Sequence, residues 1–265
     1  MNRFFVSKSD FRGEQVILGG RQAHQIRNVL RIKPAERIIV LDNTGNEYEV
    51  ALTEIEKDKL VGRIEQKRPA GGEPQVKISL CQSLLARDKF ELVLQKCTEV
   101  GVTQFAPVIT QRSLIRDIDT ITPNKLARWR RIITEAAEQS ARGRIPELAP
   151  PVQFEEAVSR LNAFDCSLIA SPHEQETTLQ KALRRSNEKK PQTIALLIGP
   201  EGGFAEREIR LAQDAGAMPV SLGPRILRTE TAAIVTAALA LYELDRIRPK
   251  PLSTGSPSAG SLDHL

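Results

Sequence analysis

Aromatic residues make up only 4% of this 265-residue chain. That leaves little material for a broad surface on which nucleic-acid bases stack. Cysteine is scarce as well: Cys81, Cys97 and Cys166 lie far apart, in apolar surroundings, with no Cys-x-x-Cys or zinc spacing. They read as reduced, buried thiols of a cytoplasmic protein. No apolar run approaches the ~18 residues of a membrane span, and residues 1–8 lack the apolar core of a secretory signal. The phosphate cradle Gly-x-x-x-x-Gly-Lys-Ser/Thr is missing, and so is the dinucleotide fingerprint Gly-x-Gly-x-x-Gly. No His-Glu-x-x-His or carboxylate cluster points to a metal, so none is expected.

What is present is an ordinary globular balance of 40% apolar and 27% charged residues, with a net charge of +5. The mild positive charge permits a nucleic-acid partner without requiring one. Residues 1–70 read as short strands with tight turns and one helix. The helix is expected over residues 21–31, with Ala23, Ile26, Val29 and Leu30 on one face and Pro34 as its stop. Such a pattern fits a small β-barrel. Residues 71–75 fall in a Pro- and Gly-rich stretch and read as a linker. From residue 76 to 247 strands and helices alternate, the mark of an α/β fold with a mostly parallel sheet. Residues 248–265 are rich in Pro, Ser and Gly and are expected to be disordered.

Three strands in this second region end in similar loops: Ala170-Ser171-Pro172, Gly199-Pro200-Glu201-Gly202-Gly203, and Leu222-Gly223-Pro224-Arg225-Ile226-Leu227-Arg228. Ligands in α/β sheets bind beyond the carboxyl ends of strands, so three such loops are expected to meet at one site. Glycine lets a ligand approach the main chain closely. A bare-backbone pocket without a phosphate cradle suits a purine nucleoside.

The pairing of Leu197-Ile198-Gly199-Pro200-Glu201-Gly202-Gly203-Phe204 with Ser221-Leu222-Gly223-Pro224-Arg225-Ile226-Leu227-Arg228-Thr229-Glu230-Thr231-Ala232 closely resembles the knotted SPOUT methyltransferases. More narrowly, it resembles the ribosomal RNA small subunit methyltransferase E family. Residues 24–31, 96–102, 112–113 and 135–142 are similar to further motifs of that family, which usually has Ala where Cys97 stands. The resemblance runs from residue 1 to about 247. It implies a PUA-like RNA-binding barrel, a SPOUT domain with a deep C-terminal trefoil knot, and a homodimer. It also implies S-adenosylmethionine as cofactor and methylation of a uridine N3 in 16S ribosomal RNA, either free or in the assembled small subunit.

Carried onto this chain, the resemblance assigns cofactor binding to Ser171, Leu197, Ile198, Gly199, Pro200, Glu201, Gly202, Gly203, Leu222, Gly223, Ile226, Leu227, Arg228, Thr231 and Ala232. The uracil N3 proton is only weakly acidic, so something must remove it or stabilise the anion. Arg228 is expected to stabilise that anion, and Glu201 or Glu230 to take the proton or fix the arginine. Glu230 fits equally well as a carboxylate favoured at a helix N-terminus. His24, Arg27, Arg31, Arg112, Arg142 and Arg225 are expected to contact RNA, with affinity that falls as salt rises. Two rivals remain: a methyltransferase acting on another base or a ribose, and a noncatalytic RNA-binding protein.

Overall fold

The computed structural model describes residues 1–244, apart from residues 31, 34, 57, 58, 87 and 189. Two sheets organise it. The first has the strand order β1-β4-β5-β6-β3-β2, from β1 (Arg3–Phe5), β2 (Phe11–Arg12), β3 (Gln15–Gly19), β4 (Arg37–Leu41), β5 (Asn46–Ile55) and β6 (Lys59–Pro69). All of its pairs are antiparallel except β1 with β4. The sheet curls around its own core, built from residues such as Phe4, Val16, Leu18, Ile38, Val40, Val50 and Leu60. At Gly62 an added Cβ would sit 2.3 Å from Val50 Cγ1, so the curl needs a residue without a side chain there. Among the described residues the strand path runs from β1 to β2 without a pairing between those two, and the sheet curls into the small barrel-like unit expected.

The helix of this unit is broken into two kinds of turn. An α-helical turn, α1 (Gly20–His24), runs into a wider π-helical turn at Gln25–Val29. Ala23 and Ile26 are buried as expected, but Leu30 is 37% exposed. A π turn holds more residues than an α turn, so whatever follows is rotated away from the face that periodicity assigns it.

The second sheet has the order β10-β8-β7-β12-β11-β13, with β9 beside β8, and every pairing in it is parallel. Its strands are β7 (Lys77–Ser83), β8 (Gln104–Ile109), β9 (Glu147–Leu148), β10 (Val152–Gln153), β11 (Cys166–Ala170), β12 (Thr193–Ile198) and β13 (Met218–Val220). On one face lie α2 (Asp88–Val100), α3 (Pro123–Gln139), α5 (Leu179–Glu188) and α7 (Thr229–Leu244); on the other lie α4 (Phe154–Ser159) and α6 (Glu206–Asp214). Central β12 is apolar from Ile194 to Ile198 because both of its faces are covered. Leu196 and Ile198 join one core and Ala195 and Leu197 the other, the period-two alternation of a strand.

Local signals set the helix ends. Thr122 caps α3 by accepting from the Lys125 amide, with Pro123 at the first turn. That helix ends at Gln139, where the Ser140 amide donates to Ala136 O. Gly101, at φ +124°, ends α2. Trp129 is a core residue, packed on Phe90 with ring centres 4.5 Å apart.

The two units meet at the end of α3. Phe5, Ile39 and Leu41 of the curled sheet pack on Ala137, and the Phe5 amide donates to Glu138 Oε1 at 2.9 Å. Gly72 and Gly143 both sit where an added Cβ would strike neighbouring backbone or side-chain atoms within 2.6 Å. The connection near residue 72 is therefore packed onto the second unit. Residues 245–265, including the expected tail, lie outside the described residues.

Candidate active site

The three strand-end loops do converge. They line a cavity of about 600 Å³ beyond the carboxyl ends of β11, β12 and β13, a size suited to a nucleoside-sized ligand. The first and third loops are zipped together. The Ser171 amide donates to Val220 O at 3.0 Å, the Ser221 amide to Thr177 O at 2.9 Å, and the Leu179 amide to Ser221 O at 2.9 Å. The second loop folds on itself through the Gly203 amide and Pro200 O, 2.9 Å. Gly203 (φ +66°) and Gly223 (φ +110°) adopt left-handed backbone conformations that favour glycine. At Gly199 an added Cβ would stand 3.1 Å from the Phe204 amide nitrogen, so the loop is already closed tightly there.

Of the residues assigned to the cofactor, Ser171, Ile198, Gly199, Pro200, Glu201, Gly203, Leu222, Gly223, Ile226, Leu227, Arg228 and Ala232 line the cavity. Leu197 points into the core on the opposite face of the sheet, Thr231 is exposed on the next helical position from Ala232, and Gly202 lies at the rim. Ile226 is 93% exposed, an isoleucine held against solvent at the cavity wall.

From the lining residue Thr229 a buried polar network runs inward. Thr229 Oγ1 donates to Gly199 O at 2.5 Å, and Gln82 Nε2, near the end of strand β7, donates to Thr229 Oγ1 at 3.2 Å. Glu230 is buried beside it, 8% exposed, and its Oε2 finds no hydrogen-bond partner among the described residues. Glu230 is thus not a lining residue, and it is less solvated than a simple helix-terminal carboxylate. Gln82 and Thr229 were not assigned to the site: Gln82 stands in no recognisable pattern, and Thr229, though inside the second loop motif, was given no role.

Two charges meet at the cavity. Lys89 Nζ, from the first turn of α2, lies 2.8 Å from Glu201 Oε1. Burial raises the Glu201 pKa, but hydrogen bonds led by Lys89 outweigh it and hold the carboxyl below its ordinary range. In return the hydrogen bond to Glu201 raises Lys89, which stays an ammonium at neutral pH. Lys89 is the charged lining residue that reading by motif missed, because it lies more than 100 residues before the loops in sequence.

The residues expected to bind RNA separate. His24 and Arg27 are exposed on the curled-sheet unit, while Arg31 lies outside the described residues. Arg225 is exposed and lines the cavity. Arg112 is exposed as well, but its Nη1 donates to Gly202 O at 2.8 Å, so it also braces the glycine loop. Nearby, the buried Glu208 accepts from the Gln111 amide at 2.8 Å and the Ala205 amide at 2.7 Å, fixing the start of α6. Arg142 does not fit the expectation. It is 1% exposed and donates to Glu73, Thr98 O and Val102 O. Its guanidinium is turned into the fold, where it closes the connection between the units and is shielded from a phosphate in solvent.

Comparison with known proteins agrees with this geometry. A family described as RNA methyltransferase domain matches residues 72–241, and one described as RNA methyltransferase PUA domain matches residues 18–65. Ribosomal RNA small subunit methyltransferase E of Bacillus subtilis is 30% identical over 254 residues, covering 94% of this chain and 99% of that protein. The protein of the same name from Synechocystis is 34% identical, covering 89% of this chain and 76% of that protein. A solved structure of ribosomal RNA small subunit methyltransferase E from Neisseria gonorrhoeae, bound to S-adenosyl methionine, superposes with a TM-score of 0.80 at 33% identity over 90% of this chain and 96% of that one. A parallel α/β sheet with a glycine-loop cavity, joined to a PUA-like unit and matched to these relatives over most of its length, belongs to the ribosomal RNA small subunit methyltransferase E family.

Proposed function

We propose that this chain transfers a methyl group from S-adenosylmethionine to N3 of a uridine in 16S ribosomal RNA. The observation that carries the reading is the cavity itself, walled by main chain from three strand-end loops and by the exposed side chain of Ile226. A glycine-walled cavity of nucleoside size fits an adenosine held by main-chain groups, and Ile198 and Ile226 supply apolar walls. S-adenosylmethionine, when bound, supplies an electrophilic methyl group. The main chain of Gly199, Leu222, Gly223 and Leu227 would hold it. Positioning of this kind accounts for much of the rate of a displacement reaction.

Glu201 is the carboxylate among the described lining residues, so it is the group to take the N3 proton. Arg228 lines the same cavity and stabilises negative charge on the base. Glu230 stands behind them as a second carboxylate. The target base, when folded within RNA, must be flipped out to reach the site.

The reading extends to the organisation of the chain. Residues 1–70 form the RNA-binding PUA-like unit, 71–75 the connection, and 76–247 the SPOUT domain with its C-terminal trefoil knot. In this reading the C-terminal segment of the knot includes α7, which begins beneath Gly199 and Gln82 and packs on α2 beside Gly101. His24, Arg27, Arg31, Arg112 and Arg225 contact the RNA, and the enzyme is a cytoplasmic homodimer acting on ribosomal RNA or the assembled small subunit. Among the described residues no helix is long and apolar enough to cross a membrane.

Nucleoside mass spectrometry of 16S RNA from a deletion strain tests the reaction. Loss of 3-methyluridine, restored by the wild-type gene, is the expected result; its persistence refutes the proposal. Calorimetry with S-adenosylhomocysteine separates a noncatalytic RNA-binding protein, for which no heat of binding would be seen.

A further inference from the structure

Lys89 is unusual among the charged side chains of this protein in what it joins. Its ammonium and the Glu201 carboxylate come from segments 112 residues apart, meet at 2.8 Å, and both line the one cavity. Their side chains are 42% and 33% exposed, so a large ligand arriving from solvent reaches both. An ion pair this well solvated is screened by water and adds too little to stability to account for its placement as a structural device. Glu230 and Arg228 are the other charged groups that act on Lys89, one carboxylate and one guanidinium, so Glu201 is the partner that fixes it. Arg228, by contrast, forms no ion pair with a lining carboxylate among the described residues.

We infer that Lys89 is a catalytic residue of this site, whose ammonium holds the negative charge that a uracil acquires when N3 gives its proton to Glu201. The inference rests on the uridine-N3 reading above. In the step the N3–H bond breaks and the proton passes to the Glu201 carboxylate. The electron pair stays on the ring, spread over N3 and the two flanking carbonyl oxygens. That pair then forms the N3–methyl bond as the carbon–sulfur bond of the methyl donor breaks, with its electrons remaining on sulfur. The proton on Glu201 is returned to solvent. A cation in hydrogen-bond contact with the accepting carboxylate is already beside the new anion. It loses a partner when Glu201 is neutralised and gains one in the carbonyl oxygen, so charge is balanced on both sides of the proton transfer. A preformed donor at such a position contributes about 100-fold or more to rate.

The test uses the full-length protein, with Lys89→Met and Lys89→Arg, on small subunits from a strain lacking the modification. Single-turnover methyl transfer is followed from about pH 6 to about pH 9.5, and S-adenosylhomocysteine affinity by calorimetry. Lys89→Met is expected to lower the rate about 100-fold at neutral pH, with the deficit shrinking as pH rises, because alkali removes the N3 proton without help. Homocysteine-product affinity stays within about 2-fold, and Lys89→Arg recovers part of the rate by restoring the charge. The inference is overturned by an unchanged rate, by a deficit equal at every pH, or by a rate that falls only in step with cofactor affinity. A wild-type enzyme that leaves a different methylated nucleoside overturns the uracil reading itself, and this inference with it.

Discussion

Thr229 Oγ1 donates its proton to the carbonyl oxygen of Gly199 at 2.5 Å, and this bond ties the first turn of α7 to the first residue of the glycine loop. Both groups are buried, so the hydroxyl has no water to take its place. Thr229→Val keeps the shape and removes the donor, leaving the Gly199 carbonyl short of a partner, while Gln82 Nε2 keeps the carbonyls of Ser83 and Ile198. A buried polar group left unpaired costs about 1–3 kcal/mol. The expected result is a melting temperature lowered accordingly and cofactor-product affinity down about 10-fold, with Thr229→Ser close to wild type. Unaltered affinity in the valine variant would show that the loop holds its shape without this bond.

Arg142 makes a second prediction, opposite to the one its charge suggests. Its guanidinium is 2% exposed and bridges Glu73, before β7, to the carbonyls of Thr98 and Val102 at the end of α2. Arg142→Met should destabilise the fold by about 3–5 kcal/mol, the range for breaking a buried ion pair from one side. RNA affinity of the fraction still folded should be unchanged. A variant of wild-type stability with weakened RNA binding would restore the phosphate-binding role and contradict the burial.

For Arg112 the two roles can be separated by salt. If the bond from its Nη1 to Gly202 O braces the glycine loop, Arg112→Ala weakens S-adenosylhomocysteine binding by about 5-fold, on the order of one charge-assisted hydrogen bond partly replaced by water. A phosphate contact would show instead as a salt dependence of RNA binding shallower by about 1 in the log–log slope. Calorimetry and filter binding at several salt concentrations read both.

Cys81 sets a pH limit on stability. It is fully buried in the core between β7 and α4, and desolvation pushes its thiol from 9.0 up to about 12. The unfolded thiol ionises near 9, so the folded state binds the proton more tightly. The stability this group contributes is fully present below about pH 9 and is lost progressively between there and about 12. Denaturant midpoints should fall over that window, and Cys81→Ala should flatten the fall. Cys97, raised further by the same burial, is expected to resist alkylation in the native protein at pH near 8.

The parts of the site that could be read from the chain are those with local signatures. Gly199 to Gly203 follows a strand whose last five positions are all apolar, and such a run must end in a loop where both cores end. Gly223 needs a left-handed backbone, and Leu222 to Arg228 announces a turn before a helix. Twelve of the fifteen cofactor assignments fall on the cavity wall because strand-end loops in a parallel sheet open on one edge. Leu197 fell outside it because alternation sends its side chain to the other face, which spacing within a short motif does not reveal. Leu30 was misplaced because one wide turn shifts all that follows it.

Charge was harder to read than shape. Arg112, Arg142 and Lys89 look alike in sequence: basic residues near family-like stretches. Folding brings Lys89 to Glu201, lays Arg112 over Gly202 and buries Arg142 against Glu73. By itself the sequence determined the two kinds of sheet, the helix caps at Thr122 and Gly101, and the three loops, because hydrophobic periodicity and backbone freedom act over a few residues. Which charge meets which carboxylate was decided only by the tertiary structure, since an ion pair depends on distance in space between segments that the chain keeps about 70 to 110 residues apart.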